Sequence, residues 1–214
     1  MGRPRPYVRA FSIRLVANAA LAIGIVAAIG GVIHAVQAAV QTGAPVTVPA
    51  TVDMADLPGG GGPAPQAAPG LPDGSLIVWP AGGQALYVPD STAVERVLAR
   101  GDTVVVSLGV LLGAFLLRGL LMSIADGRPF EPGNARRLAG IAGLVVVCGV
   151  LGPALPDVAG TVVLDRLGAG GPAGPYGVSV SWPVIPLLFA PPLLALAEAF
   201  RRGAELADDV RGLV

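Results

Sequence analysis

The sequence predicts an all-α integral membrane fold: four transmembrane helices, a small extracytoplasmic β-hairpin cap and a flexible outer loop. Three observations carry this expectation. Two apolar spans, Val104–Leu117 and Leu138–Pro156, are joined by a short charged elbow, Ala125–Arg137. The second span holds no ionisable residue except Cys148, over about the length a helix requires to cross a bilayer core. Of the 214 residues, 53% are hydrophobic and 13% charged, with a mean hydropathy of +0.71, whereas soluble domains carry about 25% charged residues. The arginines, finally, concentrate in segments that such a hairpin would put on one side. None of this identifies a reaction or a signal.

Taken in order, Met1–Arg14 is a basic arm, with Arg3, Arg5, Arg9 and Arg14 leading into the apolar run Leu15–Val36. A cleaved signal peptide with a small residue at Ala38 is the rival reading. The run is longer than the 7–15 residues of a signal core, so an uncleaved helix over about 13–38 is expected. Ala20, Gly24 and Ala28 recur on one face and would let another helix approach closely. The stretch 42–90 is an outer loop rich in proline and glycine. Leu57–Gly74 within it reads as a flexible spacer. The Gly59–Gly62 run is no phosphate loop, since no Lys-Ser/Thr follows it. Ser75–Trp79 and Ala85–Val88 read as a hairpin, and Thr47–Val52 as a candidate third strand.

Thr92 and Glu95 fit a capping box. They start a helix that should run unbroken over 92–125, through the Gly109–Gly113 packing pair, until Gly127 and Pro129 stop it. Pro132 suits the first turn of a third helix, 132–155, which should end near Gly152–Pro156. Thr161–Leu164 and Val178–Trp182 are β-prone and are expected as strands around a turn at Gly168–Gly177. The fourth helix, 183–208, contains Pro186, Pro191 and Pro192, which a membrane bundle tolerates better than water does. Trp182 sits where an interfacial anchor would, and the tail Arg201–Val214 continues as an amphipathic helix.

Arginine placement sets the expected orientation. Arg3, Arg5, Arg9, Arg14, Arg128, Arg136, Arg137, Arg201, Arg202 and Arg211 fall in the arm, elbow and tail. Only Arg96, Arg100 and Arg166 fall in the two intervening loops, which carry eight acids. Both termini and the elbow are therefore expected in the cytoplasm.

Chemistry is sparse. A net charge of zero predicts no direct nucleic-acid partner. One cysteine and one histidine exclude an internal disulfide and a Cys/His zinc site, and no cofactor or catalytic constellation is expected. His34 reads as an interfacial residue, Cys148 as inert packing, and Glu205, Asp208 and Asp209 as a solvated acidic face. Arg118 is the costliest residue, at about 2.5–3.5 kcal/mol if held at a bilayer centre. It lies roughly 12 Å before Asp126 at helical rise. Snorkelling to the cytoplasmic interface is the first reading, an intramembrane ion pair with Glu198 the second, and a substrate or ion pathway the third.

The elbow, GRPFEPGNARRL, and the tail, AFRRGAELADDVRGLV, resemble the signatures of the domain-of-unknown-function 2975 family of bacterial four-span membrane proteins. The matching residues are Pro129-Phe130, Asn134, Arg137-Leu138 and Phe200–Val214. The long Gly/Pro insert at Leu57–Gly74 departs from the family's pattern. The resemblance implies a bacterial plasma (inner) membrane protein without established activity. Members are often encoded beside a small helix-turn-helix regulator, which would be the cytoplasmic partner. Phe130, Asn134, Arg136, Arg137, Phe200, Glu205, Asp208 and Asp209 form the candidate interaction surface. A sensory or regulatory membrane protein is the first expectation, a small transporter or channel component the alternative, and an enzyme is not expected.

Overall fold

A computed structural model of the chain describes residues 6–53, 64–80, 83–171, 175–178 and 184–211. It is mostly helical with a small sheet. In chain order the elements are α1 (Pro6–Val40), β1 (Val46–Pro49), β2 (Thr51–Val52), β3 (Gln66–Ala67), β4 (Leu76–Val78) and β5 (Ala85–Val88). Then come α2 (Ala93–Ala99), α3 (Gly101–Ala125), α4 (Pro132–Arg166), β6 (Tyr176–Gly177) and α5 (Val184–Arg211). Three helical segments, Ala10–Val40, Gly101–Ala125 and Pro132–Arg166, are long and apolar enough to cross a membrane. They mark a multi-pass membrane protein. The chain divides into two compact units.

The first unit comprises 1–31, 105–150 and 183–214, and its regular elements among the described residues are all helices. Its packing follows the small residues. Gly24 of α1 is buried where α3 passes: a Cβ there would lie 2.9 Å from Ala114 Cβ and 3.1 Å from Leu111 Cα. The small face of the first span is thus the packed face, as its spacing predicted. Of the Gly109–Gly113 pair, Gly109 accommodates the Cys148 side chain of α4, while Gly113 has nothing within 4 Å. Gly149 of α4 makes room for Pro186 of α5 in the same way. Lipid-type exposure covers the outer faces, with Val26, Phe115, Leu187 and Leu188 all more than 60% exposed.

The second unit comprises 32–104 and 151–182. Its sheet has the order β1-β5-β4-β3, antiparallel throughout, with β4 and β5 forming the expected hairpin and β1 the expected third strand. Register puts Val48, Leu86 and Ile77 in one row. All three are at most 2% exposed, and they face Ala159, Val163 and Leu164 of α4 and Tyr176 of β6. Each fully buried side chain of this size contributes about 1.5–3 kcal/mol. Tyr176 donates its hydroxyl to the Pro69 carbonyl at 2.8 Å, and burial pushes its pKa up. β2 and β6 form a separate two-stranded ladder.

Buried ions join the helices of this unit. Thr92 and Glu95 form the predicted capping box, and Glu95, 1% exposed, also takes Arg166 Nε at 2.6 Å. Arg96, 3% exposed, donates to the Ala38 carbonyl of α1 at 2.8 Å and to Ser91. It so satisfies a carbonyl in the last turn of α1 that has no helical donor.

Several expectations are corrected. The third helix does not end near Gly152–Pro156: α4 runs through Pro153 and Pro156 to Arg166. Each proline faces the carbonyl of a glycine one turn earlier, Gly149 and Gly152, where no side chain resists the local bend. Thr161–Leu164 is accordingly helix and not strand. Ala159, Val163 and Leu164 are buried at helical spacing, and packing on the sheet overrides their β propensity. The helix expected unbroken over 92–125 is interrupted at Arg100, the C-cap of α2. The next residue, Gly101, lies against Leu155, which a Cβ would approach to 2.7 Å. In the Leu57–Gly74 spacer, Gln66–Ala67 pairs with β4 and Ala68 is buried, because Ala68 and Leu71 can enter the sheet's core. Residues 57–63, Ala81-Gly82, Ser179–Trp182 with the Trp182 anchor, Arg3, Arg5 and 212–214 lie outside the described residues.

Candidate functional site

The elbow is a closely hydrogen-bonded turn. Gly127, with φ +76, closes α3: its amide donates to the Ile124 carbonyl at 3.1 Å and that of Arg128 to the Ser123 carbonyl at 2.9 Å. This is the paired bonding that a left-handed residue gives a helix end. Three residues on from Glu131, the Asn134 amide closes the next turn at 2.9 Å and α4 begins.

Asn134 is fully buried and ties the turn together. Its Nδ2 donates to Ser123 Oγ at 2.5 Å and to the Pro129 carbonyl at 2.9 Å. Its Oδ1 accepts from Arg137 at 2.7 Å, and Arg137 also donates to the Gly119 carbonyl at 3.1 Å. A Cβ at Gly119 would meet Arg137 Nε at 2.9 Å, so the glycine is what admits the guanidinium to the α3 backbone. Asn134 and Arg137 thus lie between α3 and α4 as positioning residues.

Phe130, at the tip, reaches α5. Its ring lies 5.8 Å from that of Phe200 at 49°, a tilted aromatic pair. It also covers Gly203, where a Cβ would lie 2.5 Å from Phe130 Cδ1. Below the pair Leu120, Leu138 and Ala197 form a small core with Leu117, Ile124 and Phe200 around it. Elbow and tail are therefore docked through the aromatics. Of the elbow arginines, Arg137 turns inward to Asn134 and the Gly119 carbonyl. Arg136 instead shares a groove of about 500 Å³ between α4 and α5 with Glu198, Arg201, Glu205 and Asp208, floored by Ala135, Ala139, Ala197 and Ala204. Asp209 is exposed near the end of α5.

The intramembrane pair of Arg118 and Glu198 does not form. Glu198 takes Arg201 at 2.7 Å and Arg202 at 2.8 Å, both within α5, and Arg201 also pairs with Glu205. Partners one turn away on the same helix outcompete a distant one. Arg118 Nε donates instead to Asn18 Oδ1 of α1 at 3.1 Å. Nearer the elbow, Arg14 of α1 pairs with Asp126 at 2.9 Å, and Arg128 approaches the same carboxylate at 3.8 Å. His34 is half-buried in α1, and Cys148 Sγ lies 3.7 Å from the Val105 carbonyl. Among the described residues no group of three or more His, Cys, Asp or Glu side chains converges as a metal site.

Sequence reasoning passed over two contributors and the role of a third. Asn18 stands out in the sequence as a polar residue of the apolar first span, but its bond to Arg118 does not. Gly203 was visible three residues after Phe200, on its face. Arg166 carried no signal, because the capping box already accounted for Glu95. No family model, curated protein or solved structure matches the chain.

Proposed function

We propose that the protein is a four-span sensory or regulatory membrane protein whose docked elbow and tail form one cytoplasmic surface for a protein partner. The observation that carries this reading is Phe130 seated on Phe200 and Gly203. Two segments distant in sequence, both with family-like motifs, share one apolar contact and one flanking groove. In this reading α5 is the fourth span, with Glu198, Arg201 and Arg202 at its cytoplasmic end. The arm, elbow and tail face the cytoplasm and the small sheet forms an outer cap. Arg14 pairing with Asp126 supports a common side for the first helix's start and the elbow, and the positive-inside bias supports which side it is. The family resemblance implies a small helix-turn-helix regulator as the partner. The transporter reading draws no support from Arg118 and Glu198, which do not meet.

The test is capture of the helix-turn-helix regulator encoded nearest the gene, using detergent-solubilised full-length protein. Phe130→Ala, deletion of Glu205–Val214, and Gly203→Leu, which displaces the Phe130 ring, should each leave the protein membrane-inserted and lose capture. Capture that survives all three changes, or no capture by the wild type, overturns the proposal.

A further inference from the structure

Arg118 has a hydrogen bond but no counter-charge. Its Nε is held by Asn18, a neutral amide. The carboxylates that could neutralise it are engaged elsewhere: Glu198 by Arg201 and Arg202, and Asp126 by Arg14 and Arg128. Asp126 is also eight residues on along α3, roughly 12 Å at helical rise. Among the described residues the two Nη groups have no partner. A guanidinium in this position in a membrane-crossing helix is costly, and an anion that meets it lowers the cost beyond what snorkelling does.

The surroundings say which anion. On α3 Phe115, 64% exposed, precedes Arg118 by nearly one turn, and Leu112 is 52% exposed beyond it. On α1 Leu15, 60% exposed, and Phe11, 70% exposed, lie along the face that carries Asn18. The side chains that flank the pair present an apolar, outward surface. A phospholipid satisfies both features at once, with a phosphate for the fork and acyl chains for the flanking side chains. The planar fork, with Nε fixed by Asn18, leaves two parallel donors that match two phosphate oxygens.

Resting on the multi-pass membrane reading, we infer that Arg118 and Asn18 form a binding site for the phosphate of an anionic phospholipid in the leaflet on the elbow side. The lipid's head is drawn inward there, while Arg118 reaches outward along α3. Arg14, already paired, serves as the control.

The experiment presents purified full-length protein, in a non-ionic detergent, with equal phosphatidylglycerol and phosphatidylcholine and counts retained lipids by native mass spectrometry. The wild type should retain phosphatidylglycerol over phosphatidylcholine by about fivefold, the preference one arginine near a membrane surface provides. Arg118→Gln should bring the ratio to parity. Asn18→Ala, the milder change, should lower it partway, and Arg14→Gln should leave it unchanged. Excess inorganic phosphate should not displace the lipid. A preference that survives in Arg118→Gln, its absence in the wild type, or displacement by inorganic phosphate overturns the inference. Recovery of the wild type as a soluble species without detergent would instead overturn the membrane reading on which it rests.

Discussion

At the scale of single residues, the elbow depends on Asn134 more than on any charge. Its amide satisfies Ser123, the Pro129 carbonyl and Arg137 together, in a site from which solvent is excluded. Removing one member of a buried set leaves the others unpaired, at about 1–3 kcal/mol for a neutral group and more for a charged one. Asn134→Ala should therefore lower the thermal midpoint of the purified protein in detergent clearly more than Phe130→Ala, whose ring is half exposed. An unchanged midpoint would show that the latch contributes nothing. Asn134 and Arg137 were visible in the sequence as members of a motif. Their inward role was not, because a one-dimensional pattern does not reveal that Gly119 opens the α3 backbone to a guanidinium.

At the scale of elements, α4 contributes to both units. Its first part packs with helices of the one, and its last turns cover the sheet of the other. At 35 residues it is roughly 52 Å long, well beyond the ~30 Å hydrocarbon core of a bilayer. Gly160 lies against β1: a Cβ there would come 2.8 Å from the Pro49 carbonyl oxygen. Gly160→Val should consequently push α4 from β1 and destabilise the protein by about 1–3 kcal/mol, the usual cost of overpacking. Proteolysis of the 64–90 segment should accelerate in this variant. If protease resistance there stays unchanged, the contact between α4 and the sheet is not what orders these strands. The strands themselves were legible from alternation and turn residues. The helical state of Thr161–Leu164 was not, since β-branched residues favour strands until a neighbouring apolar face claims one side of a helix.

For the whole molecule, the placement of charge bears on the number of crossings. Three helices qualify by length and apolarity. In α5 the uncharged part, Val184–Ala197, covers only roughly 20 Å. It ends in the cluster of Glu198, Arg201, Arg202 and Glu205, whose mutual pairing lowers the cost of holding charge near the bilayer surface. Within the helical unit the start of α1, the elbow and the end of α5 are joined by Arg14–Asp126 and Phe130–Phe200. An even number of crossings would follow from that arrangement. Reporter fusions after Val214 and in the elbow should both read cytoplasmic, and a fusion within 57–63 should read external. A C-terminal fusion that reads external would reduce the protein to three spans and remove the tail from the proposed surface.

What the sequence by itself determined was where three long apolar helices lie and where the first two of them stop. Long apolar runs, their punctuation by Gly127, Pro129 and Pro132, and the capping box at Thr92 are local properties. They require no knowledge of what each segment touches. Only the tertiary structure decided the partners. Arg118 met Asn18 instead of Glu198, Glu95 met Arg166, and Phe130 met Gly203, because these contacts depend on which helix faces are brought within a few ångströms. The extent of α4 past its prolines and the pairing of Gln66–Ala67 were settled in the same way, by packing energies that outweigh the local preference of the chain.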